Sequence, residues 1–200
     1  MNSFEKIKKK FEEFPGIGPR QAERFAYFLL SRNSEYLEEL KHLISTLKDN
    51  VFQCKECMRF FSSSHGASLC SICSDSQRDK TTLMIVAKDN DLHTIEKSNA
   101  FKGMYFVLGG IIPILEKSPE RRIRLTALTT LLQKNKDIKE VIFALSATHE
   151  GEHTENYLTE IIHTKNPSIH TSHLGRGLST GLEIEYSDSD TIRAALKNKY

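Results

Sequence analysis

The sequence predicts an α/β protein with a parallel sheet, preceded by a helical hairpin and a small four-cysteine module. Three observations predict it. Short β-rich runs alternate with helical patterns from residue 82 onward. All four cysteines fall in one C-x2-C-x12-C-x2-C array at Cys54, Cys57, Cys70 and Cys73. The stretch FPGIGPRQAER (14–24) breaks one helical pattern and begins another.

Residues 4–50 carry a helical period. Phe4, Ile7 and Phe11 share one stripe, Ala22, Phe25, Ala26 and Leu29 a second, and Leu37, Leu40, Ile44 and Leu47 a third. Pro19 suits the first position of the second helix, and Asn33 or Ser34 can cap the third. Residues 51–78 have no sustained period. Beyond them TLMIVA (82–87), MYFVLG (104–109), EVIFALS (140–146) and SIHTSH (168–173) read as strands, with helices at 90–98, 119–134 and 152–163. The final GLEIEYSDSDTIRAALKN reads as a strand, a turn and a short helix. The organisation expected is a helix-hairpin-helix over 1–52, a zinc finger over 53–78, an α/β domain over 79–174 and a C-terminal segment over 175–200.

Composition excludes little but narrows the setting. Hydrophobic residues make up 38% and charged residues 27%, as in folded globular chains. No apolar run approaches a membrane span, and MNSFEKIKKKFEEF lacks the apolar core of a secretion signal, so a cytoplasmic location is expected. The net charge of +2 does not by itself argue for nucleic acid. From Lys117 to Lys139 seven basic residues face two acidic ones, a pattern that usually marks a solvated helix face and less often a binding surface.

Two thiolates three residues apart reach one metal from a tight turn, and two such knuckles complete a tetrahedron. Disulfides are not expected in a cytoplasmic chain. Four filled positions leave none open, so one structural zinc per chain is predicted at Cys54, Cys57, Cys70 and Cys73; His65, inside the loop, reads as solvated. In the hairpin, Gly16 and Gly18 let the backbone turn and let amide N–H groups approach an anion, beside the positive end of the following helix. Arg20 and Arg24 lie one turn apart, off the core stripe, while Phe14 and Ile17 are expected to tuck the hairpin onto its helices. The ligand implied is nucleic-acid phosphate without base readout. The plainer alternative is an ordinary helix–helix turn with surface arginines.

The order of these parts resembles the RecR family of bacterial recombination mediators. FPGIGPRQAERFAYFLL is similar to that family's hairpin, CKEC and CSIC to its zinc finger, and FKGMYFVLGG, EVIFALSATHEGEHTENYL and GRGLSTGLEIEYSD to its toprim domain and C-terminal motif. The resemblance implies a toprim-type sheet in a non-enzymatic DNA repair protein of gap repair. Such proteins form ring-like oligomers, from dimer to tetramer, and clamp duplex DNA or single-strand/double-strand junctions. They act with RecO, and often RecF, to load recombinase. It also implies a partner-binding acidic patch at Glu150 and Glu152.

Catalytic toprim domains hold Mg²⁺ with a glutamate after the first strand and an Asp-x-Asp after a later one. The corresponding residues here are Ala87, Ser146 and Thr148, which cannot supply those hard carboxylate ligands. Ala87 departs even from RecR-like chains, which usually keep the first glutamate, and GGIIPILEKSPER departs from their usual SPLDGIGP. The rival reading is a toprim-type Mg-dependent nuclease or primase fragment; a zinc-stapled module without a DNA role is a third.

Two further motifs read as decoys. His149–His153 spells H-E-x-x-H, but a glycine is expected to interrupt the helix that a zinc peptidase needs. LEIEYSD (182–188) resembles a Walker B motif without any P-loop, so an edge strand for self-association is preferred. Gly175, Gly177 and Gly181 shape that connection, with Arg176 available to a neighbouring subunit or DNA.

Overall fold

The computed structural model describes residues 1–198 apart from 64, 65, 176, 179 and 182. His65, Arg176 and Leu182 therefore lie outside the described residues. The chain divides into two compact units, Met1–Val51 and Phe52–Tyr200.

The first unit is three helices: α1 (Ser3–Glu12), α2 (Pro19–Leu30) and α3 (Ser34–Thr46). Asn2 caps α1 by accepting from the Glu5 N–H at 2.9 Å, and Asn33 caps α3 by accepting from Tyr36 at 3.0 Å. Ala22 and Ala26 are fully buried, because small side chains let neighbouring helices approach. Around them Phe4 meets Tyr27 with ring centroids 4.9 Å apart, and Phe11 meets Phe25 at 5.7 Å. The expected stripes are only partly covered. Phe25 stays 40% exposed at the edge of that cluster. Leu37 and Ile44 of α3 and its C-cap Leu47 are all exposed, since a unit of about 50 residues has too little interior to cover three apolar faces.

At the boundary β1 (Val51–Gln53) pairs with β2 (Phe60–Ser62) in a short ribbon, followed by a single turn of helix, α4 (Ser71–Ser74). Then come β3 (Asp79–Val86), α5 (Asp89–Lys97), β4 (Gly103–Val107), α6 (Leu125–Lys134), β5 (Glu140–Ala144), α7 (His149–Lys165) and β6 (His170–His173). The four strands form one parallel sheet in the order β4-β3-β5-β6. Alternating strands and helices demand this arrangement, because a parallel connection must cross over the sheet. Val86 sits in register with Val107 on one side and Ala144 on the other, so the segments leaving β3, β4 and β5 emerge together at the carboxyl end.

The sheet is covered on both faces. Leu83, Ile85, Phe106 and Phe143 pack on one face with Leu128 and Leu132 of α6 and Leu158 and Ile162 of α7. Met84, Val86, Tyr105 and Val107 pack on the other with Leu92 of α5 and the cysteine module. The module thus serves as part of the second helical layer.

The C-terminal segment departs from expectation. Ile184–Tyr186 forms a single 3-10 turn where a strand was predicted, and Ile184 and Tyr186 are exposed. Its composition is β-rich, yet a strand needs a ladder partner, and the segment joins neither edge of the sheet. The helix α8 (Ser189–Lys197) follows as expected, capped by Asp188, whose carboxylate accepts from the Asp190 and Thr191 N–H groups, both at 2.9 Å.

Candidate nucleic-acid interface and metal centre

The hairpin between α1 and α2 is built by two glycines with different reasons to be glycine. Gly16 has φ +77°, a conformation that costs other residues about 1–2 kcal/mol. Gly16→Ala should therefore lower the stability of this region by roughly 1 kcal/mol, readable in a denaturant titration. Gly18 has an ordinary extended φ of −86° and is the N-cap of α2, with no side chain to satisfy the first-turn N–H groups. A Cβ built on either glycine would meet nothing within 4 Å. The fold thus has no packing reason to exclude a side chain at Gly18; the space outside it is open. Pro19 begins α2 as predicted. Arg20 and Arg24 are both exposed, off the buried Ala22 and Ala26 positions. Ile17 is half-buried, whereas Phe14 is 55% exposed and rests its ring on Phe11 at 5.9 Å.

The four cysteines come together. Their sulfurs all lie within 4.8 Å of one another, and those of Cys57 and Cys70 are 3.6 Å apart. A tetrahedral site with bonds of about 2.3 Å has edges of about 3.8 Å, so the array is already close to the size that an ion requires. Cys54, Cys57 and Cys70 are fully buried and Cys73 half-buried. The Cys70 N–H donates to the Cys54 sulfur at 3.4 Å. The sulfurs compete for ionisation. A hydrogen bond with Cys70 pushes the Cys57 thiol up, and one with Cys57 does the same to Cys73, while Cys70 is driven down as the acceptor of both. A divalent cation removes that competition by neutralising the shared charge. The donor set therefore suits a soft or borderline metal ion.

At the carboxyl end of the sheet the toprim positions converge without carboxylates. Ala87 follows β3, is buried, and accepts from the Gly109 N–H at 2.9 Å. Ser146 and Thr148 follow β5, and the Thr148 hydroxyl is taken up as the cap of α7, accepting from Gly151 N–H at 3.2 Å. Glu150 and Glu152 are exposed on the first turn of α7. Among the described residues the cysteines form the single group of three or more His, Cys, Asp or Glu side chains close enough to share a metal. The residues at this end do not fit a Mg²⁺ cluster.

The glycine expected to interrupt α7 does not. The helix runs unbroken through Gly151, because this residue is buried against the preceding turn: a Cβ there would lie 1.9 Å from the Ser146 carbonyl oxygen. His149 and His153 thus do share a helix, with His149 exposed at its first position. Gly151 is a residue whose role the sequence hid. Gly151→Ala is expected to destabilise the second unit by about 2–3 kcal/mol, since backbone and not a flexible side chain blocks the space. A melting curve indistinguishable from the parent would refute this.

The basic stretch also resolves into separate roles. Arg122 pairs with Glu116, and Lys134 lies 3.8 Å from Glu56. Arg124 turns inward, donating from Nη1 to the Met58 and Val107 carbonyls, each at 3.0 Å. Lys117, Arg121, Lys136 and Lys139 remain exposed.

Comparison with known proteins agrees with this layout. A family model described as "RecR, helix-hairpin-helix" matches residues 4–48, and one described as "Toprim domain" matches residues 81–174. The "Recombination protein RecR" of Lactobacillus acidophilus is 34% identical over 94% of this chain and 92% of its own length. Those of Lactobacillus helveticus and Prochlorococcus marinus subsp. pastoris are 33% and 32% identical over the same share of this chain, covering 92% and 91% of theirs. Likeness of this extent, over 94% of the chain and with hairpin and toprim domain matched in the same order, means that the chain belongs to the RecR family of recombination proteins.

Proposed function

We propose that the protein is a non-enzymatic mediator of recombinational DNA repair, which holds DNA through the α1–α2 hairpin and is stapled by one zinc per chain. The observation that carries the DNA reading is Gly18. Its conformation is open to any residue, a Cβ there touches nothing, and it leaves the first turn of α2 uncapped beside exposed Arg20 and Arg24. Those are the features that an approaching phosphate requires: bare amides, the positive end of a helix, and guanidiniums on one side. Contacts of this kind are blind to sequence, which suits duplexes and single-strand/double-strand junctions alike.

The non-enzymatic reading rests on Ala87, Ser146 and Thr148, which replace the ligands of catalytic toprim sites; a Mg-dependent nuclease or primase would need them. Glu150 and Glu152, exposed together, are the proposed docking patch for RecO, with RecF a further partner. Self-association into a ring is supported by the exposed apolar stripe of Leu37 and Ile44 on α3 and Leu47 at its C-cap. Zinc is favoured over other ions by the four-sulfur set, with Cys54, Cys57, Cys70 and Cys73 as ligands. No helix among the described residues is long and apolar enough to cross a membrane, and a cytoplasmic site of action belongs to the same reading.

The hairpin reading has a direct test in Gly18→Ser. Serine is a better N-cap than glycine by a few tenths of a kcal/mol and has room, so the melting temperature should hold or rise slightly. Its side chain nevertheless occupies the phosphate approach and satisfies an amide, so affinity for DNA should fall several-fold in a gel-shift assay. Unchanged affinity in the folded variant would count against the hairpin as the DNA site.

A further inference from the structure

We infer that Arg124 is a positioning residue that ties the first cysteine knuckle to the 109–123 loop at the carboxyl end of the sheet, so that metal occupancy sets the order of that loop. This rests on the metal reading proposed above. The knuckle is joined to β4 at several points. The Cys57 carbonyl accepts from the Val107 N–H at 2.8 Å. The next residue, Met58, has φ +61°, a left-handed conformation that methionine does not favour by itself. That twist turns the Met58 carbonyl toward two donors, Gln53 Nε2 and Arg124 Nη1, each at 3.0 Å.

Arg124 then spans the gap to the sheet. The same Nη1 reaches the Val107 carbonyl at 3.0 Å, and the Arg124 main-chain N–H donates to the Leu108 carbonyl at 2.8 Å. Its side chain also covers Gly109, where a Cβ would lie 3.2 Å from Nε. From there the contacts continue. The Ile112 N–H, buried in the loop, donates to the Thr154 hydroxyl at 2.9 Å, and that hydroxyl donates to the Glu150 carbonyl at 2.7 Å. Hydrogen bonds thus hold both ends of the 109–112 segment, Arg124 tying one end to the cysteine knuckle and Thr154 tying the other to the turn of α7 that bears the proposed partner patch.

Closure of the knuckle around an ion would reinforce the left-handed twist of Met58, whose N–H already donates to the Cys54 carbonyl at 3.1 Å. Released, Met58 relaxes toward favoured conformations and its carbonyl leaves the guanidinium, which then keeps only part of its partners. Ile123 anchors the end of the loop in the core, but the stretch before it has only local contacts such as the Glu116–Arg122 ion pair, which lies within the loop itself.

Hydrogen exchange read by mass spectrometry tests this on four samples: zinc-loaded wild type, wild type treated with EDTA, and zinc-loaded Arg124→Ala and Arg124→Lys. Bound metal is measured in each. Chelation should speed exchange over residues 110–123 about tenfold while β5 stays protected. Arg124→Ala should show the same loop acceleration with its metal retained, and Arg124→Lys an intermediate one, since an ammonium can keep one carbonyl contact. If chelation also opens β5, the zinc-loaded variants decide. Loop exchange unchanged in both variants, with metal bound, would overturn the coupling alone. A wild-type chain that takes up no metal would overturn the metal reading and this inference with it.

Discussion

Replacing Cys57 by serine is expected to lower bound metal and the melting temperature together. Cys57 is fully buried, its sulfur lies 3.6 Å from that of Cys70, and its carbonyl receives a β4 N–H. The substitution therefore removes a ligand at the junction of the module and the sheet. The cysteine module forms part of the layer over Met84, Val86, Tyr105 and Val107, so loosening it uncovers apolar surface of the whole second unit. A structural zinc contributes its binding energy to folding, and loss of even about 3 kcal/mol would lower the melting temperature of a domain this size by roughly 10 °C. Because thiolates and not thiols bind the ion, the parent should also release metal on acidification. A serine variant free of metal yet as stable as the parent would contradict the proposed structural role.

The second large effect is expected at Arg20 and Arg24. Each phosphate neutralised on duplex DNA contributes about −0.9 to the slope of log K against log[salt]. Replacing one arginine by alanine should weaken binding to every sequence alike and flatten that slope by about one unit. The double variant should lose most binding, and more so if several copies grip one DNA. Both side chains are exposed and the buried positions of α2 are Ala22 and Ala26, so the fold should survive. Normal binding with an unchanged slope would reduce the hairpin to a turn. It would move attention to exposed Lys117, Arg121, Lys136 and Lys139.

Much of this architecture was legible in the sequence because local signals agreed with one another. The runs around Leu83–Val86, Met104–Val107 and Val141–Ala144 are short and apolar on both faces, as buried parallel strands must be. Cysteine spacing alone brought four sulfurs to one place, and Gly16 with Pro19 marked the hairpin. What stayed hidden depends on neighbours distant in the chain. Gly151 looks like a helix breaker until the Ser146 carbonyl beneath it is known. Arg124 reads as one more charge in a basic run, yet its partners are carbonyls 66 and 17 residues away. Ile184–Tyr186 has the composition of a strand but no strand beside it. The stripe of α3 is apolar as expected, but within a single chain its outer residues find too little to cover them.

The central claim is a protein that holds DNA without cutting or copying it, and one incubation tests it. Labelled gapped duplex, with Mg²⁺ or Mn²⁺ and nucleotides present, is mixed with the zinc-loaded protein, then resolved on native and denaturing gels. A shifted band on the first gel with intact, unextended strands on the second is the predicted result. Cleaved or extended strands, lost on Glu150→Ala, would contradict it and restore the toprim enzyme reading.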